Sequence, residues 1–440
     1  MNKINRFYSL LNNGIEFASG IGLVVFITRF FPLADSGNWF LFIAIFSLFS
    51  ALRDALVQSA LIKLTAGEAL SNSYSAIKTA LAVVLLVELV VGLGVISTSL
   101  LIQSSLSKLL IFYSVYSIPS AILRLSIFYL RGQLQVREIG LLNAIQLGVL
   151  IIGLLATAFY SPHLRSVIIA LGAANAIGIF YVTLLLPVGE IMRSSISYQN
   201  LAIIWTYGKY AMTREAVSAA SSRISLFFSG SLLNLSQTAI LGVSQRFSQL
   251  ALLPNNAIQS LLFPTIVKSV KQNDLTSVKH EIENSLANLL ALTIPCATLA
   301  VICSAQLLRI VSGTSYQTGW GILSVYLLIS TLITPFGTTF GSLVTALGKP
   351  AIAFKIVLMN TFINITISFV LMKTIGLWGA PIAMAATEII GFFVVIKISS
   401  NLANISLMAI INNIAQIYLR NFYSLPILFK GFKNKLNYAK

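Results

Sequence analysis

The chain has 440 residues, of which 57% are hydrophobic and 9% charged, and its formal net charge is +17. A soluble protein of this size could not hide so much apolar surface in one core, so a water-soluble globular protein is excluded. The basic excess would suit a nucleic-acid partner, but its placement along the chain argues against one.

A membrane-crossing helix needs about 20 predominantly apolar residues. Such stretches lie near 8–31, 38–62, 76–101, 109–130, 139–160, 166–187, 205–229, 238–267, 286–310, 319–346, 351–373 and 377–398, which predicts twelve spans. The first run is too long for the apolar part of a signal peptide and no small-residue cleavage site follows it, so it reads as a span rather than a leader. With the amino terminus cytoplasmic, Lys and Arg crowd the cytoplasmic loops. Only Arg29, Lys108, Arg165, Arg309 and Lys373 fall outside. This positive-inside bias orients a membrane protein and puts both termini in the cytoplasm.

Several spans carry charge. Span two holds Arg53 and Asp54, span seven holds Arg214, Glu215 and Arg223, and span eight holds Arg246. A charge at mid-bilayer costs about 2.5–3.5 kcal/mol on insertion scales, so it normally faces a partner or a watery cavity.

At 100° per residue, span one lines up Asn12, Glu16, Ser19 and Gly20, and span two lines up Ser47, Ser50, Asp54 and Gln58, with Arg53 alongside. Glu88 in span three stands isolated. Span seven shows Glu215, Ser218, Ser222, Ser225 and Ser229 in a stripe that includes Arg214, while Arg223 lies about 140° away and faces another neighbour. The serines read either as a cavity wall or as small-residue helix packing. Span eight offers Gln245, Gln249, Asn256 and Gln259 beside Arg246, with a kink expected at Pro254. Glu388 in span twelve is isolated like Glu88, and each is either a neutral acid bonded to a neighbouring helix or a site of ion coupling.

Other chemistry is sparse. Cys296 and Cys303 lie about 10 Å apart along one helix, too far for a disulfide, and are expected to be core thiols. His163 and His280 sit in loops without companion ligands, so no metal site is predicted. No GxxxxGK[ST] loop is present, which argues against direct ATP drive.

The segment Leu33–Trp39 opens span two as Leu235–Leu241 opens span eight, and Asn143 in span five matches Asn360 in span eleven. The repeat predicts two six-helix lobes of the same orientation: residues 1–188 and 204–400, joined by a cytoplasmic linker at 189–203. A tail, 401–440, ends in Arg420, Lys430, Lys433, Lys435 and Lys440 interleaved with Phe422, Tyr423, Phe429 and Phe432, which suits anionic lipid at the interface. A thirteenth span over 405–419 is the alternative, and it would carry those cations outside. Spans one, two, seven and eight, at corresponding places in the two lobes, are expected to wall a central aqueous cleft.

Four motifs carry a resemblance. They are Thr28–Trp39 at the turn into span two, Gln245-Arg-Phe with Leu253-Pro254 and Leu262-Phe-Pro264 in span eight, Ala346-Leu-Gly-Lys349, and Gly376-Leu-Trp-Gly-Ala-Pro-Ile-Ala383. In that order, over about residues 5–400, they resemble the multidrug/oligosaccharidyl-lipid/polysaccharide (MOP) exporter superfamily, and within it the Wzx-type O-antigen flippases. The match departs at Ser36, where an aromatic is usual, and in span one, which lacks the mid-span Arg of the related lipid II flippases.

The resemblance implies an all-α, V-shaped, MATE-like polytopic membrane protein of the bacterial inner membrane. Its cargo would be an undecaprenyl diphosphate-linked oligosaccharide, moved by alternating access for surface-polysaccharide assembly. By position, Arg53, Arg214 and Arg246 would meet the diphosphate, with Glu16, Asp54, Glu215, Gln245, Gln249 and Asn256 completing the substrate site. Glu88 and Glu388 are the candidates for proton or Na⁺ coupling. No cofactor and no catalysis are expected. Partners would be membrane lipids and a polysaccharide polymerase with its chain-length regulator. The rival readings are a cation-coupled multidrug exporter, whose ion sites would be Glu16, Asp54, Glu88 and Glu388, and a membrane polymerase or ligase, which the short outer loops disfavour.

Overall fold

The computed structural model describes residues 3–65, 70–102 and 104–420, and among these no strand occurs. In chain order the first helices are α1 (Lys3–Phe30), α2 (Leu33–Thr65), α3 (Leu70–Leu101), α4 (Ser105–Leu110), α5 (Tyr113–Gly132), α6 (Val136–Tyr160), α7 (Leu164–Leu185), α8 (Val188–Arg193) and α9 (Tyr198–Leu232). There follow α10 (Leu235–Ser248), α11 (Leu253–Lys271), α12 (Leu275–Ile302), α13 (Ser304–Ser312), α14 (Trp320–Leu332), α15 (Thr334–Ala346), α16 (Pro350–Ile375) and α17 (Gly379–Ala403). A last helix, α18, covers 407–420. Every expected span falls on one of these helices or on two in succession. Among the described residues, eight stretches are long and apolar enough to cross a membrane on length and composition alone.

The broken spans have local causes. Ser104 caps α4 through a reciprocal pair of hydrogen bonds with Ser107, so the fourth span starts as a separate short helix. The eighth span opens into a 3₁₀ turn at Gln249–Leu252 just before Pro254. Proline has no N–H to donate and suits the first turn of a helix, so the expected kink becomes a restart at α11. Pro335 does the same at the head of α15, splitting the tenth span.

Packing divides the chain into two compact units. The first comprises residues 1–242 with 311–313, and the second takes up the rest of the described chain, from Val243 inside α10. The helix α9, which the repeat pattern assigns to the second lobe, therefore packs within the first unit, along α2. Glycines permit the close approach. A Cβ built on Gly208 would lie 2.2 Å from the Leu56 carbonyl oxygen, and Gly230 presses on the Leu41 side chain. At the head of α2, Gly37 sits against the Leu235 carbonyl that opens α10. The linker is tied down at the amino-terminal end of α3, where Lys78 Nζ donates to the carbonyls of Met192 (2.6 Å) and Ser194 (2.5 Å).

The first unit holds two apolar cores, one around Leu61, Leu130, Leu142 and Ile204, the other around Trp39, Phe42, Tyr113 and Ile168. The second unit has one, around Ile266, Ile282, Leu343 and Ile410. Ile405 and Ile410 belong to that core, so the start of the expected tail is packed structure. Glu283, 2% exposed, accepts from the Ser406 backbone N–H at 2.8 Å ahead of α18, and the Tyr418 hydroxyl donates to the Ala291 carbonyl. The fourteen described residues of this helix rise about 21 Å, against roughly 30 Å of hydrocarbon. The basic stretch beyond Arg420 lies outside the described residues. The cysteines are a correction: Cys296 is exposed and Cys303 half-buried, because α12 turns that face away from the core.

Candidate functional site

Arg53 and Asp54 of α2 and Glu88 of α3 form one cluster, in which Arg53 and Glu88 are buried and Asp54 is half-buried. Arg53, 2% exposed, donates from Nε (2.9 Å) and Nη2 (2.7 Å) to Oδ1 of Asp54, and from Nη1 to Oε1 of Glu88. Glu88 is therefore not isolated. It lies on the one inward face of a helix whose neighbouring Leu85, Leu86, Leu89 and Val90 are exposed, as expected for a lipid-facing surface. Its second oxygen, Oε2, is buried without a partner among the described residues. One guanidinium thus serves two carboxylates, and the arginine closest to the middle of α2 is committed to the protein itself.

A second group surrounds a cavity of about 330 Å³ in the first unit. Glu16 and Ser19 reach it from α1, Arg124 from α5, Asn143 and Gln146 from α6, and Asn175 from α7. All stand well inside their helices, so the polar groups lie at membrane depth. Small residues close the walls. A Cβ on Gly172 would come within 2.5 Å of the Val115 carbonyl oxygen, and one on Gly178 within 3.3 Å of the Gln146 side chain. Gln146 Nε2 donates to Asn175 Oδ1 at 2.7 Å, while the Nδ2 of buried Asn143 has no partner among the described residues. Glu16 and Arg124 share the cavity without forming an ion pair.

Arg124 was missed by the sequence reading, although it lies within the fourth span. The available signal was its helical spacing, since Tyr116, Ser120 and Arg124 recur every four residues and all three line the cavity.

On α9 the polar stripe divides. Ser225 and Ser229 are buried, and the Ser229 hydroxyl bonds that of Thr238 at 3.0 Å, which is packing. Ser218 and Ser222 are exposed, as is Arg214, and Glu215 is half-buried. Arg223 does face another neighbour, donating to Ser47 of α2 and to Ser222.

In the second unit, Gln245 donates to the Tyr326 hydroxyl (3.1 Å), and exposed Arg246 donates to Gln249 (3.4 Å). Asn256 is exposed, while Asn255 next to it is buried and accepts from Thr338 (3.2 Å). Gln259 donates to Thr339 and accepts from Ser342, so amides and hydroxyls zip α11 to α15. Glu388, half-buried on α17, has no ion pair among the described residues. No group of three metal-ligating side chains occurs among them.

Comparison with known proteins adds identity to this geometry. The family model of a polysaccharide biosynthesis protein matches residues 26–319. The probable low-salt glycan biosynthesis flippase Agl15 of Haloferax volcanii is 22% identical over 189 residues, 43% of this chain, and the chain spans 40% of that relative's length. The lipid II flippase MurJ in an inward closed conformation matches with a TM-score of 0.74 and 15% identity, over 96% of this chain and 92% of the other. An inward-facing multidrug resistance MATE family transporter of the MOP superfamily gives 0.71 at 14% identity, over 90% and 96%. The structural likenesses establish the fold, the family model covers most of the first unit and the start of the second, and this multi-pass membrane chain accordingly belongs to the polysaccharide biosynthesis protein family, built on the MOP-superfamily fold.

Proposed function

We propose that the chain is a flippase for a lipid-linked oligosaccharide, carrying an undecaprenyl diphosphate-linked repeat unit across the bacterial cytoplasmic membrane by alternating access. The observation that carries this reading is the family match on a helical bundle that keeps arginines and amides at membrane depth. A sugar head group cannot enter hydrocarbon without losing its hydrogen bonds, and a diphosphate adds charge whose transfer costs far more. Arginine remains cationic at any physiological pH and forks onto phosphate oxygens.

Exposed Arg214 in the first unit and exposed Arg246 in the second are the residues we assign to phosphate recognition, with Glu215 next to the one in sequence and Gln245, Gln249 and Asn256 near the other offering bonds to sugar hydroxyls. Arg53, held by Asp54 and Glu88, positions α2 against α3. Glycan delivered to the outer face would pass to a polysaccharide polymerase and its chain-length regulator.

The test is complementation of a strain lacking its own glycan flippase. The wild-type chain should restore surface polysaccharide. The Arg214→Ala/Arg246→Ala double variant should reach the membrane in normal amount yet leave lipid-linked repeat units on the cytoplasmic leaflet. Full polysaccharide from the double variant would remove both assignments. Drug resistance conferred on an efflux-deficient host, with no glycan export, would instead favour the multidrug reading.

A further inference from the structure

We propose that the cavity among α1, α5, α6 and α7 is a subsite for one uncharged sugar ring of the transported glycan. This rests on the flippase reading and adds to it the class of sugar and the residues that hold it.

Size comes first. At about 330 Å³ the cavity sits at the small end of the roughly 300–1,000 Å³ typical of small-molecule sites. It has room for a ring, not for an oligosaccharide.

Charge comes next. Glu16 and Arg124 face the same space and are not bridged to each other. An anion entering between them meets the carboxylate, and a cation meets the guanidinium. A neutral polyol satisfies both, donating a hydroxyl proton to Glu16 and accepting from Arg124.

The amides add the third argument. Asn143 is only 5% exposed and its Nδ2 has no partner among the described residues, an omission that destabilises a buried amide. Asn143 lines the cavity, and a turn of its amide toward that space would let a sugar hydroxyl oxygen accept the bond. The Gln146–Asn175 hydrogen bond fixes two further amide planes at the wall, and Leu147 and Leu171 supply an apolar surface for the C–H face of a ring.

The experiment uses the full chain in lipid nanodiscs with Cys296→Ser, Cys303→Ser and a reporter, Ser19→Cys, at the cavity wall. The rate of its reaction with a small methanethiosulfonate is measured alone and with glucose, galactose, rhamnose or N-acetylglucosamine. Glucuronate and glucosamine serve as the anionic and cationic contrasts. At least one neutral sugar should slow labelling several-fold, and more than either charged sugar does. Adding Glu16→Gln should shift the preference to glucuronate, and adding Arg124→Gln should shift it to glucosamine. No protection by any neutral sugar, or a charge preference that ignores both substitutions, overturns the subsite.

A cellular arm separates the two proposals. If the wild-type chain exports glycan and Gln146→Leu exports it equally well, the flippase reading stands and the subsite falls. If sugars protect but the wild-type chain exports no glycan, the link to a transported cargo falls.

Discussion

A buried guanidinium shared between a buried carboxylate, Glu88, and a half-buried one, Asp54, is a site where removal costs more than the contact was worth. Deleting Arg53 would strand Asp54 and Glu88 without their counter-charge, and breaking a buried pair in this way costs on the order of 3–5 kcal/mol. Arg53→Ala is therefore expected to lower the thermal unfolding midpoint in detergent sharply. Glu88→Gln, which keeps an acceptor for Nη1, should lower it less. Equal midpoints for Arg53→Ala and the wild type would mean that the cluster is not buried in the working protein. Asp274 is the opposite case, half-buried at the head of α12 with no opposite charge bonded to it among the described residues. Its carboxylate accepts from the Ser277 and Thr276 hydroxyls and from the Ser277 backbone N–H, and these bonds hold its pKa well below the usual carboxylate range. A depressed pKa means that the contribution is complete above about pH 4, the unfolded value, and is lost as pH falls toward the folded one. Asp274→Ala should thus unfold at a lower temperature than the wild type at pH 7, with the gap narrowing steadily below about pH 4. Both acids of the cluster are conspicuous in the sequence as charges in apolar runs. That Glu88 meets Arg53 is not, because pairing between helices depends on which faces meet. Arg124 shows the converse, a charge whose helical spacing announces a cavity before any neighbour is known.

Between elements, the long contact of α9 with α2 depends on missing side chains more than on present ones. Gly208 sits with its Cβ position 2.2 Å from a backbone oxygen, which no rotamer change can relieve. Gly208→Ala should therefore push the helices apart at a cost of about 1–3 kcal/mol, the usual range for overpacking. Gly20→Ala on α1, with nothing within 4 Å of the new methyl, should be neutral or stabilising by up to about 1 kcal/mol through helix propensity. Unfolding midpoints of the two variants read the difference, and equal behaviour would disprove the close approach. The serine stripe of α9 explains why sequence alone left two readings open. Ser225 and Ser229 pack, whereas Ser218 and Ser222 do not, and the spacing is the same for all four. Span positions were legible because apolar length is a local property. The break before Pro254 was legible as a proline and misplaced by a few residues, since the missing N–H acts on the turn that precedes it.

At the scale of the whole molecule, hydropathy and charge bias were sufficient to read an all-helical membrane protein, because the bilayer imposes length and the cytoplasm retains cations. Packing partners were not legible, so α9 could be assigned by repeat order to the second lobe although it packs with the first unit. Orientation is the property that charge bias predicts most directly, and two exposed histidines report it. His163 precedes α7 in a loop that the bias places outside, and His280 lies near the start of α12, which the bias places on the cytoplasmic side. In a background with Cys296 and Cys303 replaced, His163→Cys should react with a membrane-impermeant maleimide in intact cells. His280→Cys should react only after permeabilisation. The reverse pattern would put the Lys-rich loops outside, against the rule that the rest of the chain obeys. It would also invert the chain relative to the face where a cytoplasmically made lipid-linked glycan is first available, and the proposed direction of transport would fail with it.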